Sequence, residues 1–126
     1  MMSSRLRTAA ASMLMLALAA PALAHHGWSW TEDGLFQVEG IIREIYLGNP
    51  HAFLDVDVEG ELWRVELAPA GATARAGFTE AAAKVGDEVV AVGNRSQDEA
   101  ERRMKAVRIT VGGKSYDVYP GRVPPA

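Results

Sequence analysis

The chain has 126 residues, no cysteine, and 13 basic against 16 acidic side chains, a formal charge of −3. That length suits one small domain with a single core, and the missing thiols exclude disulfides, thiolate metal sites and cysteine nucleophiles. The acidic balance argues against nucleic acid as a partner, because such binding rests on neutralising phosphates with Lys and Arg.

The first 24 residues have the layout of a cleavable secretory signal peptide. Arg5 and Arg7 form a positive start, Thr8 to Ala20 an apolar stretch, and Pro21 precedes the small-residue pattern Ala22-Leu23-Ala24. A transmembrane anchor would need roughly 20 apolar residues, more than this stretch supplies. Cleavage after Ala24 removes two basic residues and no acidic one, leaving 102 residues with a formal charge of −5 and His25 at the new terminus. The expected product is a periplasmic monomer with no membrane segment after cleavage.

Residues 25–35 read as an N-terminal arm, with Trp28 and Trp30 on alternate positions and Asp33-Gly34 as a tight-turn signal. Residues 36–119 read as the folded domain. Phe36 to Leu47 is a long strand with Gly40 as its bend, and Gly48-Asn49-Pro50 turns the chain. Ala52, Leu54, Val56 and Val58 alternate with Asp55, Asp57 and Glu59, and Gly60-Glu61 leads into Leu62 to Leu67, where Trp63, Val65 and Leu67 share the core side. Ala70 to Val85 breaks the strand period and predicts one or two short helices, with Thr79 as an N-cap and Gly86 as a stop.

Strands follow at Glu88 to Val92 and Met104 to Val111, separated by a charged loop over 93–102; in the second, Met104, Ala106, Arg108 and Thr110 alternate with Lys105, Val107, Ile109 and Val111. A Gly112-Gly113 turn then leads into Ser115 to Tyr119, and residues 120–126 form a Pro-rich tail expected to be flexible. Three meandering strands, a helical connection and two or three more strands give a mainly β chain, a five-to-six-stranded OB-like Greek-key barrel with a short helical insert. An Ig-like sandwich would want about seven strands and no such insert.

Several of these segments also carry a resemblance. Ala24-His25-His26 after a leader, Val38-Glu39-Gly40, Asn49-Pro50-His51, Trp63, Arg75-Ala76-Gly77-Phe78 and Val85-Gly86-Asp87-Glu88-Val89 together resemble a family of small exported bacterial proteins of unknown function. The resemblance implies a compact β-barrel and an exported location, and brings no established activity. This chain has Gly27-Trp28 where the family pattern has serine and then an aromatic residue, which makes the arm more flexible.

The chain has three histidines, His25, His26 and His51. A free His25 offers its α-amine, with a pKa of about 7.7–8.0, and an imidazole of about 6.5, so both can exchange protons for a metal near neutral pH. With the ring of His51 or His26 this gives a T-shaped three-nitrogen set suited to copper(II), an arrangement that resembles the histidine brace of copper proteins. Zinc remains possible, because three histidines and a water make a legitimate site. Copper(I) is disfavoured, since Met104 is the one soft ligand left after cleavage. The everyday alternatives are a frayed terminus for His25 and His26, and a turn histidine satisfied locally for His51.

Reach decides between these readings. A hairpin at Asp33-Gly34 would set His25 opposite Ile42, roughly 20 Å along a straight strand from His51, six residues at about 3.3 Å each. A first strand bent at Gly40, with an arm crossing the bend, brings the two within range. Trp28 and Trp30 would then lay the arm on the barrel.

The acidic run Asp55, Asp57, Glu59 and Glu61 fits a solvated strand face better than a calcium site. No G-x-S-x-G, H-E-x-x-H or P-loop pattern occurs, so no enzyme is expected. The leading expectation is an exported copper(II) carrier or buffer using His25, His26 and His51. The alternative is a metal-free interaction module that meets a periplasmic protein or other ligand through its barrel face or arm, and a redox copper enzyme stands third.

Overall fold

A computed structural model describes residues 27–125. Six strands, β1 (Thr31–Tyr46), β2 (Phe53–Val58), β3 (Glu61–Glu66), β4 (Glu88–Ser96), β5 (Arg103–Val111) and β6 (Lys114–Asp117), follow one another with one helix, α1 (Ala70–Arg75), between β3 and β4. They hydrogen-bond in the order β3-β2-β1-β4-β5-β6, and β3 also pairs with β5, in parallel, so the sheet closes into a barrel. This is the expected OB-like architecture, with β6 as an added hairpin strand.

β1 makes the closure possible because it serves two neighbours. Its first part, through Ile41, pairs with β4, and its last part, from Ile41 to Tyr46, pairs with β2. The transfer falls at Gly40, where a β-carbon would collide with the Asp57 carbonyl and the Val56 side chain, so the backbones approach as only glycine allows. Inside the barrel Val38, Ile42, Leu54, Val56, Val65 and Ile109 are almost wholly buried, and Trp63 packs with them. Phe78, delivered from the segment after α1, meets Tyr116 of β6 edge to face at 5.4 Å between centroids.

The insert is shorter than its alanine content suggests. Gly77, at φ +92°, ends α1: its N–H donates to the Ala74 carbonyl while that of Phe78 donates to Thr73, a Schellman closure. The chain after it proceeds through turns, so Thr79 caps no helix, and Gly86 serves the turn into β4 instead of stopping one.

Three further expectations need correction. Asp33-Gly34 makes no hairpin; Thr31 faces Ser96 and Leu35 faces Asn94, so residues 32–34 bulge out of one continuous strand that begins within the expected arm. The buried Asn94 amide holds that bulge by donating to the carbonyls of Glu32, Asp33 and Gly34 at 3.0–3.2 Å. The tight-turn residues thus mark a backbone irregularity and not a reversal. Second, β5 does not keep one alternation: the register slips at Val107, so Met104 and Ala106 face the core before it and Ile109 and Val111 after it, while Arg108 and Thr110 point outward. The extra residue is used, since the Val107 carbonyl accepts the N–H groups of Val118 and Tyr119. Third, β4 runs on to Ser96, past the start of the expected charged loop, because its far end pairs with the early part of β1.

The acidic run is also less uniform than expected. Asp55 is buried beneath Arg64, whose guanidinium donates to both of its carboxylate oxygens at 2.6 and 3.4 Å and covers the Phe53 ring at 3.7 Å. Asp57 faces solvent more and accepts from Arg43 and from the Gly60 N–H. Among the described residues no helix is long and apolar enough to cross a membrane.

Candidate functional site

The turn after β1 carries His51. The Asn49-Pro50 peptide is cis, and the Tyr46 hydroxyl donates to the Asn49 carbonyl at 2.8 Å while its ring stacks on Phe53 at 5.1 Å. These contacts tie the turn to the ends of β1 and β2 and present the half-buried His51 in a cleft of about 420 Å³. Tyr46, Asn49, Pro50 and Phe53 line it with His51, together with Glu66 of β3 and Arg103 and Lys105 of β5; Tyr46, Phe53, Glu66 and Lys105 follow one another across the paired strands.

The parallel β3–β5 pairing sets Glu66 opposite Lys105, and an Arg103 nitrogen reaches a Glu66 carboxylate oxygen at 2.8 Å. Lys105 is only 4% exposed. Its ammonium donates to the Gly27 carbonyl at 3.0 Å and lies 4.5 Å from the centre of the Trp28 ring and 5.4 Å from that of Tyr119. Burial pulls its pKa below the usual lysine value; Glu66 works against that shift, and Arg122 and Arg103 add to it. Burial also pushes the Tyr119 hydroxyl upward, with Glu66 adding to the rise and Arg122 opposing it.

The arm is fastened at several points. Arg122 covers Trp28 at 3.8 Å, Tyr119 meets the same ring edge to face at 4.9 Å, and Arg103 covers Trp30 at 4.1 Å. Thr31 donates to the Trp28 carbonyl through both its N–H and its hydroxyl, and the Gln97 side chain donates to Ser29 and Thr31. The two tryptophans therefore lie against the barrel, as expected of anchors. The C-terminal segment takes part: it forms a 3-10 turn over Pro120–Arg122 and supplies Tyr119 and Arg122, where the sequence suggests a flexible tail.

Of the three candidate ligands, His51 lines the cleft, and His25 and His26 lie outside the described residues. The residue that follows them, Gly27, is held by Lys105, which lines the same cleft as His51. Among the described residues no three His, Cys, Asp or Glu side chains converge on a point. Glu66, Arg103 and Lys105 do not stand out in the sequence as site residues. Lys105 shares a phase with Ile109 and Val111 only if the slip at Val107 is ignored; with Met104 and Ala106 turned to the core it lies on the other face, where the arm buries it.

No curated protein matches the chain. Among solved structures, the Stn1–Ten1 complex of S. pombe matches with a TM-score of 0.50 at 19% identity, over 61% of this chain and 57% of that one. Two structures of TiaS, one with agmatine and one with a transfer RNA and ATP, match with TM-scores of 0.49 and 0.47 at 15% identity; they cover 67% and 61% of this chain. This chain spans 26% and 18% of those TiaS chains. At such identities the likeness is one of fold. The sequence itself matches a family of unknown function, DUF6152, over residues 12–105, and the chain belongs to that family.

Proposed function

We propose that this protein is exported to the periplasm, loses residues 1–24, and binds copper(II) as a carrier or buffer through three nitrogens, the His25 amine and ring with the ring of His51, His26 being the alternative third donor. The observation that carries the reading is the Lys105–Gly27 hydrogen bond, which fixes the arm on the wall of the cleft that holds His51. Two residues extend at most about 7 Å from that anchor. The geometry that would have defeated the site, an arm paired back along β1 from an Asp33-Gly34 hairpin, is absent from the described residues. Neutral imidazoles and an amine suit copper(II) in tetragonal geometry and suit zinc with an open position.

The metal-free interaction module draws less support. Its most distinctive surface was the Trp-bearing arm, and the Trp28 and Trp30 rings are engaged by Arg122, Lys105 and Arg103 of the same chain.

The test expresses the full chain for export and determines the terminus of the recovered protein by mass spectrometry. That protein is titrated with copper(II) and zinc(II) while its electron paramagnetic resonance and visible spectra are recorded. Nitrogen hyperfine structure from three donors is expected, with weaker binding in His51→Ala and when one alanine is inserted before His25. Unchanged affinity and spectrum in either variant would overturn the reading.

A further inference from the structure

We propose that the cleft beside His51 is also a binding site for a small carboxylate with an apolar body, its charged end held by Lys105 and Arg103 and its body against Tyr46, Phe53 and Pro50. The inference goes beyond copper binding and stands on the charge and shape of the cleft alone.

Charge comes first. Two cations and one carboxylate line the cleft, and Arg103 already engages that carboxylate, Glu66, at 2.8 Å. Glu66 also acts on Lys105 from the neighbouring strand and favours its charged form, but two cations, Arg122 and Arg103, act against it. A lysine that is 4% exposed is ordinarily found with an acidic partner. Among the described residues no carboxylate lies in ion-pair contact with Lys105; its hydrogen-bond acceptor is the neutral Gly27 carbonyl, and two aromatic faces surround it. That carbonyl satisfies one of three N–H donors and none of the charge. An oxyanion in the cleft supplies the missing charge and takes charge-assisted hydrogen bonds from the ammonium. Arg103 presents a planar fork of the kind that recognises carboxylates.

Shape gives the ligand's other end. A cleft of about 420 Å³ falls within the roughly 300–1,000 Å³ of small-molecule sites, far more than a bare acetate fills. The stacked rings of Tyr46 and Phe53, with Pro50, give the cleft an apolar lining beside the cations, Tyr46 and Pro50 offering most of it because Arg64 covers one face of Phe53. Where copper(II) also enters, the same anion offsets the repulsion between the metal and its cationic neighbours.

Benzoate, acetate and benzyl alcohol are the probes. Each is titrated into the protein recovered after export of the full chain, metal-free and copper-loaded, with amide and lysine ¹⁵N shifts followed by NMR and sodium chloride at equal ionic strength as the control. Benzoate should saturate at Lys105 and at the amides of Asn49, His51, Ala52 and Phe53, more tightly than acetate, with benzyl alcohol weakest. Lys105→Met and Arg103→Gln should each weaken benzoate about tenfold or more, the scale of one charge-assisted hydrogen bond. If Lys105→Met loses its dispersed spectrum, Arg103→Gln decides. Shifts no larger than those from chloride, or wild-type affinity in the folded variants, would overturn the proposal. Benzoate saturation without a copper spectrum would sink the copper reading and leave this one standing; a copper spectrum with no response to benzoate would do the reverse.

Discussion

Replacing Trp28 with alanine tests whether the arm is held by its ring. The indole loses the Arg122 guanidinium at 3.8 Å, the buried Lys105 ammonium at 4.5 Å and the edge of Tyr119 at 4.9 Å. Cation–π contacts contribute about 0.5–1 kcal/mol when exposed and about 2 when desolvated, and an aromatic pair about 0.5–1.5. Because the three partners share one ring and can meet each other once it is gone, a combined loss of about 2 kcal/mol is expected, roughly a 30-fold shift toward the undocked arm. Two backbone hydrogen bonds report that equilibrium directly: Thr31 N–H to the Trp28 carbonyl at 3.1 Å and Gln97 N–H to the Trp30 carbonyl at 2.9 Å. Their hydrogen exchange should accelerate up to about 30-fold while the amides joining β4 and β5 keep their rates. Copper affinity, measured by chelator competition, should fall by at most the same factor, since an undocked arm cannot share a metal with His51. Unchanged exchange would refute the clamp itself; a copper affinity that falls by more than exchange accelerates would refute docking of the arm as the link between Trp28 and the metal.

Three other outcomes follow from the fold. Gly93→Ala places a methyl group against the Lys105 carbonyl and the Ala106 backbone, which cannot swing aside; a cost of about 1–3 kcal/mol and a calorimetric melting point lower by roughly 5–20 °C are expected, and a shift under about 2 °C would refute it. Thr73→Val loses the hydroxyl bond to the Ala68 carbonyl at 2.8 Å, but that carbonyl also accepts the Ala52 N–H, so no acceptor is orphaned and urea unfolding should show a loss near ~1 kcal/mol, well short of about 3. Asp117 is held below the ordinary carboxylate range by its Arg108 hydrogen bonds, against a small opposing effect of burial. Its folded pKa is the lower one, so the pairing stabilises above the unfolded value of about 3.9 and is lost as pH falls through the folded pKa. Thermal melts of wild type and Asp117→Asn should therefore differ near neutral pH and converge once the pH has fallen through the folded pKa of Asp117; a constant difference would contradict the assignment.

The barrel was legible wherever a strand keeps one register with one partner. Leu54, Val56, Trp63 and Val65 show this, since their period-two pattern matches the observed β2–β3 pairing. Reading failed where one strand serves two partners or slips against one. The Asp33-Gly34 signal belongs to a bulge stapled by Asn94, 60–62 residues away in sequence, and Val107 turns β5 over because the distant Val118 and Tyr119 need its carbonyl. Both are tertiary demands that no local pattern carries. The cleft divides in the same way: Asn49-Pro50-His51 is a local turn and was visible, whereas Arg103 and Lys105 join its lining because β3 and β5 pair, which sequence order does not reveal.

The parallel β3–β5 contact also has a kinetic meaning. The β1–β2–β3 meander is built from neighbours in sequence, whereas 37 residues separate Glu66 from Arg103 and 78 separate Gly27 from Lys105. Closing such loops costs entropy before any contact offsets it, so high-contact-order pairings form late. During refolding the residues around His51 come together only as the barrel shuts and the segments bearing Trp28 and Tyr119–Arg122 meet. A ligand of this cleft would then find no template in the early meander, and its binding phase would time the final closure of the sheet.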